Sequence, residues 1–341
     1  MKILITGGCG FVGSNIAIYL KENLKNSKIS SLDNLARKGS ALNKKRLNKY
    51  NIKNYKIDIE NPKKIKLLPK YDLIIDCCAE PAIEASKKDP DRVFNTNLVG
   101  TYNILRKCVK EKSNIIFLSS SRVYSIQNLN RLINKTKINR PINLKKEIND
   151  KFETQSASSL YGFTKLSSEK LIKEFFFRTN LKYIINRFGV IAGPWQFGKQ
   201  DQGFIPLWVA RHFLKKNLSY IGFGGFGHQV RDVLHIKDVC KIIILQIKNL
   251  KKINNNTFNI GGGIENSISL KKLTKKCEIL TKNKIKFKKV SKTSIFDVPY
   301  YVSDNKKINK FYKWKPKNNL DDILNDIYVW LLKNKHVRNY F

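Results

Sequence analysis

The stretch KILITGGCGFVGS, residues 2–14, decides the fold. KILIT is a short apolar run of the kind that forms a buried strand, and the glycines stop it abruptly before helical spacing begins. Gly8, Gly10 and Gly13 satisfy G-x-G-x-x-G, while Gly7, Gly10 and Gly13 satisfy the wider G-x-x-G-x-x-G. Both patterns meet one physical need. Small residues let the backbone turn tightly, approach a pyrophosphate and place it at the positive end of the next helix. Phe11 and Val12 lie inside the same turn and count among the candidate cofactor contacts. Asp33 follows the second strand-like run, KISSL (28–32), with Asn34 next to it. A carboxylate there accepts hydrogen bonds from an adenosine ribose and repels a 2′-phosphate, so NAD is the expected cofactor. Arg37 and Lys38 lie close enough to neutralise a 2′-phosphate, which keeps NADP as the alternative.

Outward from this start, YKI (55–57), DLIIDC (72–77), NIIFLS (114–119) and KYIINRF (182–188) read as further strands. Helical spacing separates them over 12–25, 92–111 and 160–178. The alternation predicts an α/β fold, a doubly wound parallel Rossmann sheet covered on both faces. Asp58 and Ile59, past the third strand, are placed to meet the adenine ring, and Ala79 lies where only a small side chain admits the cofactor. The aperiodic, Asn- and Lys-rich stretch 125–157 predicts a long excursion above the sheet. From about 190, Gly, Pro and aromatic residues dominate GPWQFGKQDQGFIPLW (193–208) and GFGGFG (222–227). These mark a smaller C-terminal lobe that closes over a ligand. The expected division is a NAD-binding Rossmann domain over 1–188 and a substrate-binding lobe over 189–341, interleaved with the first.

Chemistry enters with YGFTK (161–165). Four-residue spacing puts the Tyr161 hydroxyl and the Lys165 ammonium on one helical face. An ammonium nearby lowers a phenol from its usual pKa of about 10, so that phenolate can take a proton from an alcohol. LSSSRVY (118–124) ends the fifth strand at the sheet edge where the cofactor must lie, and Ser120 there can hydrogen-bond the reacting hydroxyl.

Bulk composition narrows the classes further. The 341 residues carry a formal net charge of +40, but the lysines are spread over the whole chain instead of forming a basic stripe. Nucleic acid is therefore not an expected partner, and a general pull on anionic substrates remains. Six cysteines without C-x-x-C spacing and four unclustered histidines predict reduced core thiols and no metal site. No apolar run reaches the roughly 18–20 residues of a membrane helix. The N-terminal apolar run stops at glycines without a signal-peptide pattern, so the cytoplasm is the expected location.

Taken together, TGGCGFVGS (6–14), Asp33, Asn97 within NTNLVGTYN (95–103), SSSRVY (119–124), the Y-x-x-x-K pair and RDVLHIKDV (231–239) resemble the extended short-chain dehydrogenase/reductase superfamily of nucleotide-sugar epimerases and dehydratases. The resemblance spans nearly the whole chain. Within it, LDNLARKGSALN (32–43), GPWQFGKQDQG (193–203) and GFGGFGHQVRDVLH (222–235) are most similar to the CDP-paratose 2-epimerase (CDP-tyvelose epimerase) group.

The resemblance implies a catalytic triad of Ser120, Tyr161 and Lys165, with Asn97 and Lys165 holding the nicotinamide half of NAD. It implies substrate contacts at Gln202 and at Arg231, whose planar fork suits a diphosphate. It also implies a homodimer built on the Tyr-Lys helix and the 92–111 helix. The activity implied is 2-epimerisation of a CDP-linked deoxyhexose through a transient keto-sugar, with NAD retained. Two departures bear on this. The dehydratase branch carries Asp-Glu where this chain has Ser121-Arg122, which disfavours dehydration. Many members carry Asn three residues after the strand arginine, where this chain has Val190 after Arg187, and that loosens the sugar assignment. A 4-epimerase, a net NAD-dependent oxidoreductase and a non-catalytic NAD-sensing protein are the alternatives.

Overall fold

In the computed structural model, which describes residues 1–81, 88–133, 139–156, 158–199 and 202–341, KILIT forms strand β1 (Lys2–Thr6). Around it lie β2 (Lys28–Leu32), β3 (Lys53–Tyr55), β4 (Leu73–Asp76), β5 (Asn114–Ser120) and β6 (Tyr183–Phe188). The chain then runs through β7 (Val190–Ala192), β8 (Leu218–Ile221) and β9 (Val230–His235) before β10 (Asn256–Ile260) returns to the sheet beside β6. The result is a seven-stranded sheet in the order β10-β6-β5-β4-β1-β2-β3, parallel throughout. It is the doubly wound Rossmann arrangement. Strand order reverses between β1 and β4, which opens a crevice at their carboxyl ends where such folds bind ligands.

Alternation along each strand divides the core into two layers. Ile3 and Ile5 of β1 and Leu73 and Ile75 of β4 pack toward helices α1 (Phe11–Asn23) and Ile236–Asn249, against Ile16, Leu20, Val239 and Ile243. Leu4 and Ile74 face the other way, toward Ile104, Cys108, Ile172 and Phe176. All four strand isoleucines are fully buried, as a parallel strand covered on both faces requires.

Local differences from the sequence reading have physical causes. The third strand is Lys53–Tyr55, not 55–57: Ser31 donates to Asn54 Oδ1 at 2.6 Å and Leu32 pairs with Tyr55. Past Tyr55 the chain turns, with Ile57 N bonded to Tyr55 O. Helix α2 (Ser40–Lys49) follows Gly39, in polar sequence where apolar spacing is sparse. The expected 92–111 helix begins at Pro90, capped by Asp89, and widens into a π turn at Asn95–Val99 before continuing as α3 (Gly100–Glu111). The 125–157 excursion contains a short helix, α4 (Ile126–Arg131), and bonds back through Ile148 N to Val302 O at 2.8 Å. Residues 134–138 and 157 of that stretch lie outside the described residues. The Tyr-Lys helix is α5 (Leu160–Phe177).

Beyond the sheet, β9 joins β7, β11 (Ser267–Ser269) and β13 (Tyr300–Tyr301) in a second sheet, while β12 (Phe287–Val290) pairs with β8. Trp208, Leu273, Ile323 and Trp330 form a separate core beneath these elements. Among the described residues no helix is long and apolar enough to cross a membrane.

Candidate active site

Gly7 has φ +60°, and a Cβ on it would lie 2.9 Å from the Cys78 Cα. A Cβ on Gly13 would meet the Gly7 carbonyl oxygen at 2.4 Å. Only glycine lets the β1–α1 turn close this tightly. Gly10 differs, since its only neighbour within 4 Å is the Gly7 carbonyl, at 3.1 Å, so the space beyond it is open. Helix α1 starts there with no side-chain cap and no acidic residue in its first turn. Its leading N–H groups and positive end are left for an anion, and Phe11 and Val12 stand half-buried beside them. These residues fit a dinucleotide pyrophosphate. The Gly13→Ala variant should lose about 1–3 kcal/mol of stability from the backbone clash, and should no longer retain NAD through desalting, measured by thermal melting and by nucleotide release.

Asp33 is nearly buried and accepts from Cys9 N at 3.0 Å and Leu35 N at 2.8 Å. Burial raises its pKa, and those bonds with the Arg37 charge work against the rise. Its carboxylate braces the glycine loop and still has lone pairs for ribose hydroxyls. Asn34 donates to Asp58 Oδ2 at 2.8 Å, and Ile59 packs on Gly100, where a Cβ would come within 2.6 Å. Ala79 follows β4 next to Glu80, whose N–H donates to Asn97 Oδ1 at 2.8 Å. Asn97, fully buried in the π turn, donates in return to Glu80 O and to Thr164 Oγ1 at 3.2 Å. It thereby ties the end of β4 to the Tyr-Lys helix.

Ser159 caps α5 by accepting from Gly162 N at 3.1 Å, which sets Tyr161 in its first turn. A Cβ on Gly162 would meet the Arg122 carbonyl oxygen at 2.0 Å, so this glycine lets the Ser121–Val123 turn sit directly on the helix. That contact brings Ser120 to the Tyr161 phenol. Burial pushes the phenol above its ordinary pKa, while the Ser120 hydrogen bond and the charges of Arg122 and Arg37 pull it down. The buried Lys165 ammonium lies 4.1 Å from the Phe117 ring centroid and faces Asp76, Cys78 and Cys77, with burial lowering its pKa. It lies at the carboxyl end of β4, and the charges of Arg122 and Arg37 also reach the phenol.

Arg231, on β9, is half-buried and donates to Val298 O at 2.6 Å, Val230 O at 2.8 Å and Asp297 Oδ1 at 2.9 Å. Burial lowers its pKa to about 10. It lines a cavity of about 20 Å³ with Ser121, Arg122, Tyr124, Ser159 and Tyr301. A hollow of about 630 Å³ lies between α4 and Ile295. Gln202 instead accepts from Arg37, joining the loop after β2 to the 193–203 segment.

The NAD dependent epimerase/dehydratase family profile matches residues 3–261. The chain belongs to this family, and its cofactor is NAD. The CDP-paratose 2-epimerase of Salmonella typhi is 31% identical, over 97% of this chain and 99% of that protein. The dTDP-glucose 4,6-dehydratase of Salmonella typhimurium is 26% identical over 98% and 93%. Among solved structures, the UDP-glucuronic acid 4-epimerase of Bacillus cereus, in complex with UDP-glucuronic acid and NAD, superposes with a TM-score of 0.83 at 23% identity, over 98% and 99%.

In this epimerase/dehydratase chain, sequence reasoning missed a buried ion pair behind the site. Glu169, one turn beyond Lys165 on α5, accepts from Arg187 Nη2 at 2.6 Å and Nε at 2.9 Å, and from Ser119 Oγ at 2.5 Å. Burial works to lower the Arg187 pKa, yet the bonds and charge of Glu169 win and raise it. The available signal was an arginine inside the apolar strand KYIINRF, which required a buried carboxylate somewhere. Arg37 and Arg122 also bring charge to the Tyr161 phenol, from positions that no local spacing signals.

Proposed function

We propose that the chain is an NAD-dependent nucleotide-sugar epimerase that inverts carbon 2 of a CDP-linked deoxyhexose, interconverting CDP-paratose and CDP-tyvelose. One observation carries the reading: Tyr161 and Lys165 are buried on one face of α5, with Ser120 bonded to the phenol. Bound NAD supplies a hydride acceptor that later acts as the donor. Tyr161 as phenolate takes the proton of the sugar hydroxyl while Ser120 hydrogen-bonds the same oxygen. Arg122 and Arg37 stabilise the phenolate. Lys165, on the crevice side, and Asn97, through its bracket on α5, position the nicotinamide half. Arg231, and Gln202 through Arg37, hold the substrate side. The resulting keto-sugar turns its other face, and Tyr161 returns the proton as hydride comes back. Ser121-Arg122 offers no carboxylate to expel water, which weighs against dehydration. The similarity to the Salmonella typhi 2-epimerase over nearly both full lengths weighs for carbon 2. Incubation of the purified enzyme with CDP-paratose, followed by NMR, should give CDP-tyvelose. No conversion there, with conversion of UDP-glucose to its 4-epimer, would establish the 4-epimerase reading instead.

The proposed assembly is a homodimer. Phe94, Tyr102 and Val109, on and just before α3, and Phe163 on α5 are exposed, and Tyr102 meets Phe175 edge-on at 5.7 Å. Such apolar surface on two adjacent helices fits a shared helical interface. Gel filtration at high salt should give about twice the 39.5 kDa chain mass, and Phe163→Glu should shift it to the single-chain value.

A further inference from the structure

Strand β4 ends in a buried carboxylate whose hydrogen-bond donors, among the described residues, are all neutral. Asp76 is fully buried, level with Thr6 on β1 and with Phe117 on β5. Its Oδ1 accepts from Thr6 Oγ1 at 2.5 Å and from Cys78 N at 3.3 Å, and its Oδ2 from Thr101 Oγ1 on α3 at 3.3 Å. Two of these donors are shared. Cys78 N also reaches Thr6 Oγ1, and the Thr101 hydroxyl bonds Asn97 O more closely, at 2.8 Å. Neutral donors leave the charge of a buried carboxylate uncompensated, which is costly unless a cation lies near.

Lys165 is the cation on that face. Its buried ammonium lies 4.1 Å from the centroid of the Phe117 ring, and Phe117 is the partner of Asp76 across the β4–β5 pair. Burial lowers the Lys165 pKa, and Asp76 leads the groups that act against it, followed by Cys78, Cys77 and Glu169. Both thiols are pushed well above the usual thiol range by burial, which leaves them neutral. Glu169 is already engaged by Arg187, which donates to it at 2.6 and 2.9 Å, and by Ser119. Tyr161 shares the helical face as a phenol that burial favours in its neutral form. Among these groups Asp76 alone is an anion without a bonded cation of its own. We propose that Asp76 is the counter-ion of Lys165, a positioning residue whose carboxylate keeps that ammonium charged inside the protein. The inference rests on the reading of Lys165 as a working ammonium of the active site, and supplies what holds its charge there.

The test is the isosteric Asp76→Asn, which keeps an acceptor for Thr6 and removes the charge. Lysine ¹³Cε NMR of the NAD-loaded protein over pH, with the Lys165 signal identified by its loss in Lys165→Met, reads the titration directly. The Lys165 midpoint should fall by about one pH unit or more in Asp76→Asn, the effect of removing one opposite charge nearby. Activity that needs the ammonium is lost as pH rises through that midpoint, so the alkaline limb of the rate profile on CDP-paratose should move to lower pH with it. A residue that only packs would lower the rate without moving the limb. An unmoved Lys165 midpoint in a folded Asp76→Asn protein overturns the inference. A shifted midpoint in an enzyme inert toward CDP-paratose supports the counter-ion and refutes the functional reading alone. Should Asp76→Asn fail to fold, its combination with Lys165→Met decides, because removing both members of a buried pair leaves no stranded charge. Recovery of the fold in that double variant supports the pair, and a double variant that also fails to fold overturns it.

Discussion

The Tyr161→Phe variant is expected to keep its fold and its NAD while kcat falls by about 100- to 10,000-fold, the range for loss of a positioned acid–base group. The ring is buried against α5 and the turn after β5, so deleting one oxygen leaves the packing in place and removes only the proton acceptor. The oxygen is held by the Ser120 bond and by the charges of Arg122 and Arg37, against a burial effect that favours the neutral phenol. Phenolate is the active form, so wild-type activity should rise with pH and fall as pH drops through the phenol's pKa. That acid limb should vanish in Tyr161→Phe, whose residual rate should be flat across it. Steady-state kinetics over pH, with NAD content checked after desalting, measures both effects.

Glu169→Ala is expected to cost about 3–5 kcal/mol, because it strands a guanidinium in the interior. Arg187 is 7% exposed at its side chain and Glu169 1%, so neither charge has water to fall back on. The pair also holds β5 and β6 to α5 through Ser119, directly behind Ser120 and Lys165. Urea unfolding should show the loss. A double variant, Glu169→Met with Arg187→Met, should recover most of it, since removing both partners leaves no uncompensated charge. If the single and double variants are equally unstable, the loss comes from packing and not from the stranded charge.

What the sequence made legible follows from how local each signal is. The strand–glycine–helix start, Asp33 and the Tyr161–Lys165 spacing are short-range patterns, set by backbone sterics and helical period. Their placement in the sheet was readable for the same reason, because KILIT and KISSL coincide with β1 and β2. Features set by distant segments were not. The π turn at Asn95–Val99 lies within ordinary helical spacing, and its buried Asn97 is satisfied by Glu80 and Thr164. The third strand lies nearer the N-terminus than the YKI run, pairing Leu32 with Tyr55 and carrying the Ser31–Asn54 bond, both set by β2. The Tyr161–Lys165 spacing names Lys165 as the cation on the same helical face as the phenol. Arg37 and Arg122, whose charges also act on it, are carried there by loops whose course no periodicity encodes.

The central claim is that hydride leaves the sugar carbon and returns to it without exchanging with solvent. CDP-paratose deuterated at carbon 2, incubated with the enzyme in ordinary water and recovered as product, tests this by mass spectrometry. Full retention of deuterium at carbon 2 is the predicted result. Washout to solvent hydrogen during conversion would mean that the carbon loses a proton, and would contradict the account.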